Sequence, residues 1–387
     1  GTRYLDLNSS WWTNLHGHCH PYIAEKISQQ ARQLEHVVFA GFTHPTAVEL
    51  AARIVKRLPN NLNKVFYSDN GSTAVEVALK MSIQKFWNEG KKRHRFLAIE
   101  GAYHGDTFGA MSVGQRGYFN VPFEDRLFST DFIPFPDPSN YREVLEKQKQ
   151  LLASGEYVGF IFEPLVQGAA GMRMYRAEWL NELIANAKKS GVICIADEVM
   201  TGFYRTGKMF ACDYLDEKPD ILCLSKGITG GFMPLGLTIA SQEMYDAFYD
   251  DDTAKALLHG HSYTAYPLAC AAACASLDLL EDKKTLLQIE AISALHRKFV
   301  KDHQNHPALI RCESLGTILA MDLKTDSGYF SSVRNKTWSY FIERGLLIRP
   351  LGNSVFFNPP YCITAQELER ALGVLTEYLS DFRAFRN

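Results

Sequence analysis

The chain has 387 residues, more than one simple hydrophobic core usually serves, so two domains are expected. Its 41 basic and 43 acidic side chains leave a net charge of −2, without the basic excess that a nucleic-acid binder uses on phosphates. No continuous apolar run is long enough to span a bilayer, and the first residues, GTRYLDLNSSWW, show neither the charged nor the apolar region of a signal peptide.

In chain order, Ser9-Ser10-Trp11-Trp12 reads either as core packing or as the wall of an apolar pocket. His16-Gly17-His18-Cys19-His20-Pro21 is rich in metal-ligand types, yet it lies in a Gly/Pro loop with no partner motif, so no metal site is expected. Val65-Phe66-Tyr67 predicts a strand. Asp69-Asn70-Gly71-Ser72-Thr73 then leads into a helix from Thr73 to Trp87. Further strands are expected at Phe96–Ile99, Val158–Phe162, Val192–Ala196, Ile221–Leu224 and Leu235–Ala240. Short apolar strands separated by helical stretches imply an α/β fold with a mostly parallel sheet covered by helices. Past residue 282 the rhythm changes. A long helical pattern covers Lys284–Lys301, and apolar runs follow at Ile318–Asp322, Leu346–Ile348 and Val355–Phe357. The expected division is a large domain over 9–282 and a small α+β domain over 283–387, with 1–8 joining the latter. The eight cysteines sit mostly in apolar runs and contain no CxxC pair, so reduced thiols in a cytoplasmic protein are expected.

Two segments carry the strongest chemical signal. Ile195-Ala196-Asp197-Glu198 and Leu224-Ser225-Lys226-Gly227 each place a charge just past an apolar strand, where open α/β sheets bind ligands. A lysine amine forms a Schiff base with an aldehyde, and a carboxylate keeps a pyridine nitrogen protonated, so the pair suits a pyridoxal-type cofactor. Two surface charges at strand ends remain the plainer alternative. Gly71 and Ser72 at a helix start read first as part of an ordinary helix cap and only second as a seat for a phosphate. Tyr103 in Tyr103-His104-Gly105-Asp106 is placed to stack on a flat ring or to fill a turn. Arg349, ending Leu346-Leu347-Ile348, offers a fork to a carboxylate or an ion pair to a nearby acid. His259-Gly260-His261-Ser262 is a second His/Gly cluster that suits a phosphate better than a metal. Neither GxGxxG nor GxxxxGK[ST] occurs, which removes the fingerprints of dinucleotide and Walker-type sites.

Taken together, GSTAVEVALKM, GAYHGDTFGAMSV, ADEVMTGFYRTGKMFAC, LSKGITGG and IRPLG followed by NPPY resemble the class III aminotransferases, a group within the fold-type-I pyridoxal-phosphate enzymes. The resemblance runs from about Asp6 to about Tyr361. It implies a homodimer with its active site at the subunit interface, and pyridoxal 5'-phosphate held by Lys226 with Asp197 at the ring nitrogen. It further implies Gly71 and Ser72 at the phosphate, Tyr103 and Val199 on the two ring faces, and His261 and Ser262 reaching the phosphate of the neighbouring subunit. Trp11, Gly260, Arg349 and Arg205 would contact substrate. Glu163 and Asp106 match active-site acids of less defined role. SSWW, YHGDTFGAMSV and VQGAAGMRMY resemble the branch that aminates 8-amino-7-oxononanoate in biotin biosynthesis, with S-adenosyl-L-methionine as donor. His261-Ser262 in place of Pro-Thr and Phe356 in place of Tyr leave lysine as a second candidate donor. Another ω-aminotransferase, acting on ornithine, 4-aminobutyrate or a diamine, is the alternative within the class.

Overall fold

The apolar runs of the first 240 residues assemble into one seven-stranded sheet, seen in a computed structural model that describes residues 1–117, 120–325 and 332–382. Its strands are β1 (Leu62–Ser68), β2 (Arg95–Ile99), β3 (Thr130–Ile133), β4 (Tyr157–Phe162), β5 (Ile193–Asp197), β6 (Ile221–Leu224) and β7 (Gly236–Ser241). They lie in the order β1-β7-β6-β5-β4-β2-β3. All neighbours are parallel except β7, which runs antiparallel to both β1 and β6. Every residue of β4, β5 and β6 is buried, as strands covered on both faces must be.

Two apolar layers cover the sheet, and the strand period of two sorts side chains between them. On one face Ile161, Ile195, Ile221 and Cys223 meet Ala74, Val75 and Ala78 of the helix Gly71–Asn88. On the other, Phe160, Phe162, Cys194, Ala196, Leu222 and Leu224 join a larger core with Leu180, Leu183 and Ile184 of the helix Ala177–Lys189. The Gly71–Asn88 helix starts sharply because of a reciprocal cap. The Asn70 side chain accepts from the Thr73 N–H, and the Thr73 hydroxyl accepts from the Asn70 N–H.

After residue 282 a helix spans Lys283–His303. Strands β8 (Leu309–Leu315), β9 (Ile318–Leu323) and β10 (Ser354–Phe357) then form an antiparallel sheet of their own. Leu346–Leu347 pairs in parallel with Leu5–Asp6 at the chain start rather than with that sheet. Arg311 on β8 grips Asp322 with two nitrogens, and its guanidinium also donates to the Gly171 and Met172 carbonyls beside the large sheet.

Arg205 is the central tie. Its guanidinium is fully buried and donates to the carbonyls of Trp12, Asn14 and Pro359 and to Asn358 Oδ1, at 3.0–3.3 Å. One side chain thus joins the loop after β5, the N-terminal segment and the turn after β10. Replacing it by Met leaves these buried acceptors without their charged donor. Arg205→Met is expected to lower the unfolding free energy by about 3 kcal/mol in urea denaturation followed by circular dichroism, against less than about 0.5 kcal/mol for a surface change.

Candidate active site

Strands β2, β4, β5 and β6 run parallel, so their carboxyl ends open at one edge of the sheet. Asp197 is the last residue of β5, paired in register with Cys223 of β6, and Lys226 follows β6 after Ser225. Both line one cleft of about 660 Å³, together with Trp11, Trp12, Gly71, Ser72, Tyr103, Glu163 and Val199. The sheet register therefore brings together the amine and the carboxylate that the sequence set on separate strands.

Lys226 has φ +46°, a left-handed conformation that ordinary residues rarely adopt. Its Nζ lies 4.5 Å from the centroid of the buried Trp12 ring. Burial lowers its pKa to about 8, although the Asp197 and Glu163 carboxylates pull the other way. Asp197 is held at both oxygens: Oδ2 accepts from His104 Nδ1 at 2.7 Å and Oδ1 from the Val199 N–H at 3.1 Å. Carboxylate oxygens only accept, so His104 carries its proton on Nδ1. Tyr103 donates its hydroxyl to Asp106 and its N–H to Glu163.

The first turn of the Gly71–Asn88 helix faces the same cleft, with the N–H groups of Gly71 and Ser72 outside the cap that Asn70 gives Thr73, and with the positive end of its dipole. A Cβ on Gly71 would lie 2.7 Å from the Val199 side chain, so only glycine lets Val199 sit over this turn. Gly105 has φ +126°, and a Cβ there would come within 2.3 Å of Ser72 Oγ. The Ser72 hydroxyl accepts from the Thr107 N–H and pairs with the Thr107 hydroxyl at 2.8 Å.

Trp11 and Trp12 are presented by an unusual turn. Ser9, Ser10, Trp11 and Trp12 all have positive φ, between 45° and 70° or so, a left-handed run without glycine. Ser9 Oγ donates to the Asn358 carbonyl, Ser10 Oγ to Asp6, and Arg205 holds the Trp12 carbonyl. The two indoles stack at 5.3 Å between centroids, and the exposed Arg349 guanidinium lies 4.2 Å from the Trp11 centroid. Among the described residues no acid forms an ion pair with Arg349, which leaves its fork open to a ligand carboxylate.

Five expected site residues do not line this cleft, Arg349 among them, which stands against Trp11. Arg205, expected to touch substrate, is buried behind the Trp12 segment, where backbone carbonyls and Asn358 are its partners within the chain and it braces the wall of the cleft. Gly260, His261 and Ser262 do not line this cleft within one chain. Their loop is tied to itself, the His261 N–H donating to Thr264 Oγ1. Conversely, His104 and Thr107 line the cleft without having been given a role from sequence, while Trp12 stands in the wall that Ser9-Ser10-Trp11-Trp12 suggested. His104 stood inside a quoted motif, but nothing in its neighbours announces that its ring faces Asp197. The His16–His20 loop brings no metal cluster together: among the described residues no group of three or more His, Cys, Asp or Glu is placed to hold an ion.

The cleft fits a phosphate-bearing pyridine aldehyde. It offers a desolvated amine, a carboxylate with acceptor sites left beyond its two present bonds, and a helix start whose first residue, Gly71, has no Cβ. Comparison with known proteins agrees. The family model for class-III aminotransferases matches residues 1–379. The adenosylmethionine-8-amino-7-oxononanoate aminotransferase of Synechococcus elongatus is 48% identical across 98% of this chain and 92% of its own length, and that of Helicobacter pylori is 37% identical across 98% and 88%. The solved Methanocaldococcus jannaschii enzyme of that name is 35% identical with TM-score 0.93, covering 98% of this chain and 90% of its own. A PLP-bound amine transaminase from an uncultivated Pseudomonas species is 28% identical with TM-score 0.91, covering 98% and 91%.

Gly105→Ala forces a side chain into both a left-handed backbone and Ser72. It is expected to weaken pyridoxal-phosphate binding at least tenfold in equilibrium titration and to cost about 2 kcal/mol of stability.

Proposed function

Because the chain belongs to the class-III aminotransferases, we propose that it moves an amino group from S-adenosyl-L-methionine to 8-amino-7-oxononanoate, giving 7,8-diaminononanoate in biotin biosynthesis. The reaction type rests on one observation: the Lys226 amine and the Asp197 carboxylate share a cleft at the ends of neighbouring strands. The substrate rests on the near full-length similarity to enzymes bearing that name.

Pyridoxal phosphate, when bound, supplies an aldehyde that takes up amines and a ring that accepts electron density. Asp197 is the group that holds a proton on the ring nitrogen, and the His104 bond fixes the carboxylate's direction. Lys226 holds the cofactor and, once released as an amine, moves a proton at the reacting carbon. Its lowered pKa suits that task, because a neutral amine is needed to accept the proton. Gly71 and Ser72 would take the phosphate, Val199 and Tyr103 would cover the ring, and Arg349 on the Trp11 face would receive the carboxylate of the long-chain keto acid.

The enzyme is in our reading a homodimer with the active site at its interface, Gly260, His261 and Ser262 completing the partner's cleft. Supporting this, the exposed apolar side chains Val38, Phe42, Leu258 and Tyr263 crowd the sequence around His44 and that loop. No helix among the described residues is long and apolar enough to cross a membrane, and all eight cysteines are free thiols, in keeping with assignment to the cytoplasm.

Single-turnover mixing with S-adenosyl-L-methionine or with lysine, read by loss of the visible band of the lysine-bound cofactor, identifies the donor. Reaction with adenosylmethionine and amination of 8-amino-7-oxononanoate is the expected result; reaction only with ornithine, 4-aminobutyrate or diamines would overturn the assignment. Lys226→Ala is expected to reduce turnover by at least about 10³-fold. For cofactor-free protein, the rate of pyridoxal-phosphate attachment is expected to rise with pH and level off above about 8, because burial lets the amine lose its proton there. A rate still climbing near the ordinary lysine pKa of ~10.4 would contradict it.

A further inference from the structure

Four carboxylates line the cleft: Asp69, Asp106, Glu163 and Asp197. Three are committed to side-chain partners. Asp69 accepts from Asn70 Nδ2 and Thr73 Oγ1, Asp106 from the Tyr103 hydroxyl, and Asp197 from His104. Glu163, one residue past the end of β4, differs. Its Oε1 accepts the Tyr103 N–H at 3.1 Å and its Oε2 the Gly168 N–H at 2.8 Å, both from backbone. A carboxylate has about four acceptor sites, so two remain. The side chain is buried, and no cation pairs with it in the described structure.

A buried carboxylate without a counterion is costly unless something that binds there supplies one. Burial pushes the Glu163 carboxyl up to about 7, with His104 acting against it and Asp197 adding to it. The two backbone N–H bonds fix its direction, so it enters the cleft as a rigid acceptor rather than a flexible surface acid. The proposed substrate has an ammonium on C8, one bond from the C7 ketone that must meet Lys226.

We propose that Glu163 is the specificity-determining residue that receives the C8 ammonium of the keto substrate, distinguishing an α-amino ketone from a plain ketone of the same length. The inference rests on the substrate assignment above. Arg349 and Glu163 then read the two charges at opposite ends of one molecule, carboxylate and ammonium, and the Trp11 face covers the chain between them.

The test compares 8-amino-7-oxononanoate with 7-oxononanoate, which lacks only the amine, on the holoenzyme. Two readouts are used: kcat/KM for amino transfer, and equilibrium affinity from quenching of tryptophan fluorescence. Wild type is expected to favour the amino ketone at least tenfold in both. Glu163→Gln is expected to reduce that preference by about tenfold, the worth of one charge-assisted hydrogen bond. Glu163→Asp, which keeps the charge, should retain part of it. Equal affinity of wild type for the two ketones overturns the proposal without any variant, and so does a Gln variant with cofactor bound and its preference intact. Transfer to neither ketone, with turnover of another carbonyl substrate, would sink the substrate assignment itself and this inference with it.

Discussion

Asp197 and His104 meet at 2.7 Å where β5 ends, both buried at the floor of the cleft. A carboxylate in such a position is stable only if its oxygens are satisfied, and here an imidazole N–H and the Val199 backbone N–H do so while leaving acceptor sites toward the cleft. Everything else in the site is arranged about that fixed charge. Lys226 approaches from the adjacent strand end without forming an ion pair with it. The helix Gly71–Asn88 brings its N–H groups from the other side. Glu198, next in the chain, turns away from the cleft and anchors the following loop: its carboxylate accepts from the N–H groups of Ala211 and Cys212 and from the Thr201 hydroxyl. Two adjacent acids thus hold two different structures, the ligand site and the loop that carries Arg205.

Strain is concentrated where the cleft needs shape. The left-handed run Ser9–Trp12 and the left-handed Lys226 are costly conformations for residues with side chains. They persist because partners distant in the chain hold them. Asn358 takes the Ser9 hydroxyl, and Arg205 grips both the Trp12 carbonyl and the turn at Asn358–Pro359. The elements after residue 282 therefore contribute to the site by fixing the Trp11–Trp12 wall and by offering Arg349 across it.

Much of the fold was legible because β4, β5 and β6 are uninterrupted apolar runs, which a two-sided burial requires. Asp197 and Lys226 were legible for a related reason: a charge directly after such a run has to leave the core at the strand end. Other site features depend on contacts between residues far apart in the chain. His104 stands 93 positions from Asp197, and no local pattern marks its ring as the partner of that acid. Arg205 was placed near substrate by the family resemblance alone, with no local pattern to mark what it holds within the chain. Its partners within the chain are three backbone carbonyls and Asn358 Oδ1, and carbonyls carry no sequence signature at all. The left-handed Ser-Ser-Trp-Trp turn runs against local propensity and is imposed by tertiary hydrogen bonds.

The central claim is that Asp197, oriented by His104, keeps a proton on the ring nitrogen of the cofactor held by Lys226. Nitrogen-15 NMR of the holoenzyme loaded with ring-labelled pyridoxal phosphate reads that proton directly. The account predicts the shift of a protonated pyridinium in the wild type and of a free pyridine in Asp197→Ala. An unprotonated ring in the wild type, or a shift that ignores the loss of Asp197, would contradict it.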